Sequence, residues 1–160
     1  MEKRFIGAYE EFSDAIFRYC YFKLGDRELS KDFVQDVFLK TWSYLEKGND
    51  IENFRAFLYR LARNIVIDWY RKNKTFSLDK LRENGFDPVD QNAKTEVYAE
   101  KEEAINLIKK LGPQEQELIT LRYIEELSLQ EIASILNKKE NNVSVMLHRA
   151  IKHLRSLLKE

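Results

Sequence analysis

The chain has 160 residues, of which 44% are hydrophobic and 34% charged, enough apolar material for one or two small cores in a soluble protein. No apolar run approaches the roughly eighteen residues that a membrane-spanning helix needs. Glu10 and Glu11 interrupt the N-terminal segment, which excludes a secretory signal there, and the single Cys20 excludes an internal disulfide. We therefore expect a cytoplasmic protein.

The basic residues are concentrated in two segments, although the chain as a whole has 27 basic and 27 acidic residues and no net charge. Residues 53–74 hold six Lys and Arg against one Asp, a local charge of +5. Residues 138–159 hold six against one Glu, again +5. Two basic segments in an acidic frame indicate two DNA contacts and leave an acidic surface for a protein partner. The alternative is that the charged residues are distributed by chance and the two basic segments bind nothing.

Helical periodicity of the apolar residues dominates the first half, and no strand pattern is evident. A first helix is predicted from about Ile6 to Leu24, where Gly25 stops it. A second is predicted from near Ser30 to Gly48, with Leu29 and Val34 at the spacing of a hydrophobic staple. Asn53 is a plausible N-cap for a third helix from Phe54 to about Lys72.

The helical pattern fails between Lys74 and about Glu96, where Gly85, Pro88 and the Asp and Asn content predict a linker. Helices resume from Val97 and break at Gly112–Pro113. The sequence therefore predicts an all-α protein of two small domains, residues 1–74 and 97–160, joined by a linker over residues 75–96.

The last sixty residues predict a helix-turn-helix. Ser128 and Glu131 have the spacing of a capping box, and Asn137 tolerates the left-handed backbone of a tight turn. The apolar positions of the two helices are Ile132, Ala133 and Leu136, then Val143, Leu147, Ala150, Leu154 and Leu157. The outer face of the second helix carries Ser144, His148, Arg149, Lys152 and Arg155. A polar, basic helix of this kind fits the DNA major groove.

Residues for catalysis are missing from the sequence. His148 and His153 are five residues apart and so not on one helical face, and the lone cysteine adds no metal-ligand set. The five glycines are scattered, which excludes a phosphate-cradling loop. We predict no catalytic residue, no metal site and no cofactor, and His148 fits better as a residue facing a phosphate or base.

Two motifs carry a resemblance to a known family. The segments DFVQDVFLKTW (Asp32–Trp42) and FRAFLYRLARNIVIDWYRKNK (Phe54–Lys74) closely resemble region 2 of bacterial sigma factors. The segment LGPQEQELITLRYIEELSLQEIASILN (Leu111–Asn137) resembles their region 4. With these two regions alone, the chain resembles the extracytoplasmic-function (ECF) group. The resemblance implies that core RNA polymerase, promoter DNA and an anti-sigma factor are the partners.

The resemblance assigns the polymerase contact to the second helix. In the family, region 2 binds a coiled coil of the largest polymerase subunit, and region 4 docks on the polymerase flap. By match, the polymerase-binding residues would be Asp32, Gln35, Asp36, Leu39 and Lys40. A simple solvated helix face is the alternative reading of these positions.

The resemblance assigns minus-ten DNA, which region 2 melts, to the third helix and the loop before it. One helical face holds the residues assigned to the core, Phe54, Leu58, Leu61, Ile65 and Trp69. The opposite face is assigned to DNA and holds Arg55, Tyr59, Arg63 and Tyr70, with Arg60 and Arg71 flanking it. In the loop, Asn49 and Asp50 are expected to bond to the edge of a flipped base. On this reading, Tyr59→Ala and Arg63→Ala should impair promoter opening alone.

Minus-thirty-five DNA is assigned to the helix-turn-helix, at Lys138, Lys139, Asn141, Asn142, Ser144, His148, Arg149 and Lys152. Asn141 and Asn142 have the chemistry to read adenine edges, or they cap the helix. The sequence departs from the family at Ser144, Val145 and Met146, where members often have Lys-Ser-Arg. This departure should weaken phosphate attraction and change base preference.

Three functions remain open at this point. A sigma factor explains both motifs. A stand-alone DNA-binding regulator would use the helix-turn-helix without needing the strand-melting segment at residues 54–74. A sigma-like decoy would bind polymerase or an inhibitor without reading DNA, and only Ser144–Met146 favours it.

Overall fold

The structure is a computed structural model, and it describes residues 1–73 and 96–159, with side chains from residue 102 onward in the second range. These ranges belong to two compact units. All regular secondary structure in the described ranges is helical, as the sequence predicted. The predicted linker, residues 75–96, lies outside the described residues except for Glu96, so its boundaries stay a prediction.

The described residues of the N-terminal unit form a bundle of three helices, α1 (Glu2–Leu24), α2 (Arg27–Glu46) and α3 (Phe54–Lys72), in which each helix packs against the other two. Apolar side chains from all three fill its core, and the most deeply buried include Ile16, Tyr19, Cys20, Val37, Leu58, Tyr59 and Ala62. Cys20 is therefore a small core residue, fully enclosed in the bundle.

Local signals set the helix ends of this unit. Gly25 has a left-handed backbone (φ 67°) and its N–H bonds to the Tyr21 carbonyl at 2.8 Å, which ends α1 as predicted. The predicted start of α2 near Ser30 was wrong. The Asp26 carboxylate accepts a hydrogen bond from the Leu29 N–H at 3.0 Å, so Asp26 is the N-cap. Leu29 lies inside the first turn and cannot form the predicted staple with Val34.

The connection from α2 to α3 ends at a predicted cap. Gly48, just after α2, has a positive φ of 85°, a conformation that costs glycine little. The Asn53 side chain accepts a hydrogen bond from the Ala56 N–H at 3.0 Å, which confirms Asn53 as the N-cap of α3. The loop between the two helices is therefore short and fixed at both ends.

Within the part that the structure describes, the C-terminal unit has four α-helices: α4 (Glu96–Lys109), α5 (Pro113–Ile119), α6 (Leu129–Leu136) and α7 (Glu140–Leu158). Pro113 starts α5 in the first turn, where its missing N–H costs nothing, which confirms the predicted break. Helix α7 packs against the other three. Their core is apolar and includes Leu118, Leu121, Leu127, Ile132, Val143, Leu147 and Ala150.

A π-helical turn, Thr120–Ile124, continues α5 and was not predicted. The Glu125 N–H bonds five residues back to the Thr120 carbonyl at 2.9 Å, and Glu126 follows with a positive φ of 58°. The Arg122 guanidinium donates to the Leu127 carbonyl at 2.8 Å across the turn. Single π turns are rare and often lie at functional sites. Here the turn sets the direction in which the chain enters α6.

No helix within the described parts of either unit is long and apolar enough to cross a membrane.

Candidate nucleic-acid and polymerase interface

The outer face of α2 is a solvent-exposed strip. The predicted polymerase-binding residues Asp32, Gln35, Asp36, Leu39 and Lys40 are all exposed. Their i, i+3, i+4, i+7, i+8 spacing puts them on one side of the helix. Leu39 is 64% exposed, and with Tyr44 it lines a shallow depression whose rim is Lys40, Ser43 and Lys47. An exposed apolar residue inside a polar rim has the composition of a protein interface.

The predicted DNA-facing side of α3 is wrong for Tyr59, and it stays a prediction for the half-buried Tyr70. Tyr59 is 2% exposed, and its ring meets that of Tyr19 edge-on, with centroids 5.5 Å apart. The Tyr70 hydroxyl donates to the Lys23 carbonyl in α1, and burial raises the pKa of Tyr70 to about 12. The Tyr59 ring therefore packs between α1 and α3 and cannot stack on a base, whereas the half-buried Tyr70 is tied to α1 through its hydroxyl.

The arginines of α3 divide into two pairs. Arg55 and Arg63 are half-buried, and the Nε atom of each is enclosed by protein. Arg60 and Arg71 are exposed. Helix packing causes this division. The buried residues Ala56, Ala62 and Val66 lie with Tyr59 on the side of α3 that faces the rest of the bundle, and arginines next to that side are packed along their length. Within the predicted core set, Leu58 is buried, and Phe54, Leu61, Ile65 and Trp69 are half-buried.

The exposed face of α3 is therefore rotated from the predicted one. It runs through Arg60, Asn64, Ile67 and Arg71, at i, i+4, i+7 and i+11. At its N-terminal end the Arg60 guanidinium lies 5.7 Å from the centre of the Phe57 ring, which in turn packs against Tyr44 at 4.9 Å. Cations and partly exposed aromatic rings thus lie together beside the α2–α3 loop.

The α2–α3 loop, residues 47–53, holds the predicted base-contacting pair. Asn49 is exposed, and its side-chain N–H donates to the Tyr44 carbonyl at 3.1 Å. Asp50 pairs with Arg4 of α1 at 2.6 Å, and this hydrogen bond holds the pKa of the Asp50 carboxyl below its usual range. Sequence reasoning missed Arg4, because it lies 46 residues from Asp50 and no local spacing links the two.

The turn of the helix-turn-helix forms as the sequence predicted. The Ser128 hydroxyl accepts from the Glu131 N–H at 3.1 Å, and the Glu131 carboxylate accepts from the Ser128 N–H at 2.9 Å. Asn137 ends α6 with a left-handed backbone (φ 53°). Ile132 and Ala133 are buried as predicted, and Ile135 is buried where Leu136 was expected, the latter being half-buried.

The outer face of α7 is exposed. Every residue that the sequence assigned to minus-thirty-five DNA in and before this helix is open to solvent: Lys138, Lys139, Asn141, Asn142, Ser144, His148, Arg149 and Lys152. Lys139 is the N-cap residue and makes no side-chain cap bond, and Asn141 and Asn142 lie in the first turn. The alternative that one of these asparagines caps α7 is therefore wrong.

Val145 is the apolar centre of this face and was not assigned before. It is 49% exposed and lies at i+4 from Asn141, three residues before His148. Met146, its neighbour, is half-buried. Of the three positions that depart from the family pattern, Ser144 and Val145 are the ones whose side chains are exposed.

The two histidines have different positions. His148 is exposed on the outer face of α7. His153 Nδ1 lies 2.7 Å from the Glu115 carboxylate, which ties α7 to the start of α5. No three His, Cys, Asp or Glu side chains among the described residues are grouped so that they could hold a metal ion.

Comparison with known families identifies both units. The model of Sigma-70 region 2 matches residues 8–76, and that of Sigma-70 region 4 matches residues 101–154. The first match begins within α1 and includes the whole of α2 and α3. The second covers most of the helix-turn-helix unit. Together they cover more than half of the chain.

Individual relatives agree with these matches. The ECF RNA polymerase sigma factor BldN of Streptomyces coelicolor is 29% identical over 160 residues, spanning 94% of this chain but only 58% of BldN. SigW of Bacillus subtilis, another ECF sigma factor, is 29% identical over 163 residues, spanning 93% of this chain and 86% of SigW. The sigma factor RpoE, solved with the anti-sigma factor NepR from Bartonella quintana, is 19% identical, with a TM-score of 0.73 over 98% of both chains. The chain belongs to the sigma-70 family, in its extracytoplasmic-function group.

Proposed function

We propose that the chain is a cytoplasmic, non-catalytic subunit that binds core RNA polymerase and directs transcription initiation at particular promoters. The observation that carries this proposal is that both sigma regions occur in one chain, each with an exposed basic helix face. A stand-alone regulator would need the second unit only. Core polymerase and promoter DNA are thus the partners that both units together require.

The polymerase contact is the outer strip of α2, defined by Asp32, Gln35, Asp36, Leu39 and Lys40. The 64% exposure of Leu39 supports it, because burying that side chain against a partner removes apolar surface from water. The surrounding charges keep the free protein soluble and make the association reversible.

The minus-ten contact combines the α2–α3 loop with the exposed face of α3. Arg60 and Arg71 supply cations for the phosphates, and Asn49 supplies a polar contact to a base edge. An unstacked base needs an aromatic platform, worth about 1–3 kcal/mol per base. The partly exposed Tyr44–Phe57 pair beside the loop fits this role better than Tyr59, which is buried, or Tyr70, whose hydroxyl is bonded to the Lys23 carbonyl.

The minus-thirty-five contact is the outer face of α7 with Lys138 and Lys139 before it. Arg149 and Lys152 attract phosphates, and Asn141 and His148 have hydrogen-bonding groups for base edges. Val145 adds an apolar contact, and the thymine methyl is the apolar group that a major groove offers. Family members often have a serine at this position, so the sequence departure adds an apolar contact here while it removes two cations.

An anti-sigma factor is the remaining proposed partner. RpoE, whose fold this chain shares, was solved in a complex with the anti-sigma factor NepR. The exposed strip of α2 is a surface whose occupation would prevent polymerase binding. An inhibitor that competes with polymerase there would keep the protein inactive until it is released.

In vitro transcription tests the proposed function. The protein is added to cognate core polymerase on a library of promoter templates, and the transcripts are sequenced. We expect initiation from a subset that shares two elements. If the protein binds core polymerase and initiates from no template, it is a sigma-like decoy. If it binds duplex DNA but not core polymerase, it is a stand-alone regulator. Either outcome contradicts the proposal.

A matched pair of variants localises the polymerase contact. Leu39→Ala should weaken binding to core polymerase about tenfold, as expected from losing the burial of an exposed leucine at an interface. Ile6→Ala shortens another exposed aliphatic side chain, 48% exposed, on α1 of the same unit. It should leave core binding unchanged, and equal losses in both variants would contradict the assignment of α2.

A further inference from the structure

Arg4, near the start of α1, holds the α2–α3 loop through three contacts. One guanidinium nitrogen lies 2.6 Å from the Asp50 carboxylate, and another donates to the Ile51 carbonyl at 2.6 Å. The guanidinium also lies 5.2 Å from the centre of the Phe54 ring, at the first turn of α3. A planar guanidinium can make such divergent contacts at once, which an ammonium group cannot do.

Asp50 is engaged by these contacts. Its carboxylate accepts from Arg4 and from the backbone N–H of Ile51, and both bonds favour the ionised form. Asp50 is therefore committed to the shape of the loop and is poorly suited to the base contact that the sequence suggested. Asn49, one residue earlier, is exposed and keeps its carbonyl oxygen as an acceptor.

The rest of the loop is fixed around Asn49. Ile51 is 3% exposed and anchors the loop in the bundle. The Asn49 side-chain N–H bonds to the Tyr44 carbonyl at 3.1 Å, and Asn53 caps α3. The Arg4 contacts lie between these two points. Without them, Asp50 and the Ile51 carbonyl would lose their tie to α1.

We propose that Arg4 is a positioning residue for promoter recognition: it holds the α2–α3 loop so that Asn49 meets the edge of an unstacked minus-ten base. This inference rests on the proposed function. Arg4 touches no DNA in this scheme and acts through Asp50 and the Ile51 carbonyl. Its loss should loosen one base contact while leaving the bundle folded, because the ion pair is largely exposed and contributes little to stability.

The test measures base selectivity in the full chain bound to core polymerase. Templates carry a randomised minus-ten element, and the ratio of preferred to other bases is read at each position from the transcripts. Arg4→Gln and Asp50→Asn should each lower this ratio at one position by about three- to tenfold. The double variant should be no worse than Arg4→Gln alone, because Asp50 acts only through its contact with Arg4.

Two controls separate positioning from folding and charge. Lys3→Gln removes the same charge from the neighbouring exposed residue of α1 and should leave selectivity unchanged. Arg4→Lys keeps the charge without the planar fork and should lie between the wild type and Arg4→Gln. Thermal unfolding, followed by tryptophan fluorescence, should be nearly the same in all variants.

The outcomes distinguish this inference from the function on which it rests. A wild-type protein that initiates from no template refutes the proposed function and this inference with it. A selective wild type with an equally selective Arg4→Gln variant refutes the inference alone. A uniform loss of initiation on all templates, with a lower unfolding temperature, would make Arg4 a purely structural residue and also refutes it.

Discussion

Helices α3 and α7 are matched in length, at 19 residues each, and both carry a basic face, yet the sequence located that face correctly in only one of them. In α7 the buried positions Val143, Leu147 and Ala150 are all apolar. In α3 the buried side includes a tyrosine and encloses the Nε atoms of two arginines.

The difference shows that residue type is a weaker guide to burial than the position of small residues. Tyr and Arg have apolar bodies and polar ends, so both can be packed along their length. Ala56 and Ala62 allow close approach of neighbouring helices and identify the packed side of α3. If the alanine positions had been used to locate the buried side of α3, Tyr59 would have been predicted to lie in the core.

The largest expected effect comes from neighbouring residues on α3. Tyr59→Ala should destabilise the N-terminal unit by about 3–5 kcal/mol, because it leaves a cavity beside Tyr19. Arg60→Ala, one residue later on the exposed face, should leave stability within about 0.5 kcal/mol. Urea unfolding followed by tryptophan fluorescence reports this unit specifically, because the chain has two tryptophans, Trp42 and Trp69, both in it.

The burial of Tyr59 also changes what we expect of this pair of variants in promoter opening. Tyr59→Ala should impair core binding and opening together, since the whole bundle is weakened. Arg60→Ala should impair opening alone. If Tyr59→Ala were as stable as the wild type and defective only in opening, the DNA-facing assignment made from the sequence would be restored.

The next effect concerns the cations of α7. Lys152→Ala should weaken holoenzyme binding to promoter DNA by a similar factor on all sequences and lower the slope of log affinity against log salt by about 0.9. Fluorescence anisotropy at several salt concentrations measures both quantities. Lys110→Ala removes an exposed cation from the segment after α4 and is the control. An unchanged slope in Lys152→Ala would remove this residue from the phosphate contact.

A smaller effect is expected at the capping box of α6. Ser128→Ala removes the hydroxyl that accepts the Glu131 N–H and should cost about 1 kcal/mol in the C-terminal unit. Ser134→Ala, at an exposed position within the same helix, should be neutral or slightly stabilising. Far-UV circular dichroism follows this loss, while tryptophan fluorescence should not change. Equal stability of the two variants would contradict the cap.

Much of the fold was predictable, because helix ends depend on neighbouring residues. Gly25, Asn53, Asn137 and the Ser128–Glu131 box each act within a few residues, and each was identified correctly. Asp26 was equally local and was missed, because Ser30 offered a competing cap chemistry. The backbone at Glu126 has no such signal, since glutamate rarely adopts a positive φ.

The candidate site was less predictable, because its residues come from distant parts of the chain. The tie from Arg4 to Asp50 spans 46 residues and depends on how α1 packs beside the α2–α3 loop. The same packing decides that Tyr70 contacts Lys23 and leaves Arg71 exposed. The outer face of α7 was predictable from the local sequence, since the buried positions of this helix are all apolar and its polar residues lie on the other side.

The last prediction tests the burial of Tyr70 by pH. Burial raises its pKa from 10.0 in the unfolded chain to about 12 in the folded bundle. A raised folded-state pKa stabilises the fold fully below pH 10, and that contribution is lost as the pH rises through about 12. The stability difference between the wild type and Tyr70→Phe should therefore shrink as the pH rises from 10 towards 12. Urea midpoints from tryptophan fluorescence measure this difference.

Tyr123→Phe is the matched control for this experiment, because Tyr123 is 56% exposed and lies in the other unit. Its difference from the wild type should stay constant over the same pH range. A constant difference for Tyr70→Phe as well would mean that the Tyr70 ring is solvated. Tyr70 would then not be packed between α1 and α3, and it would belong to the DNA-facing side of α3.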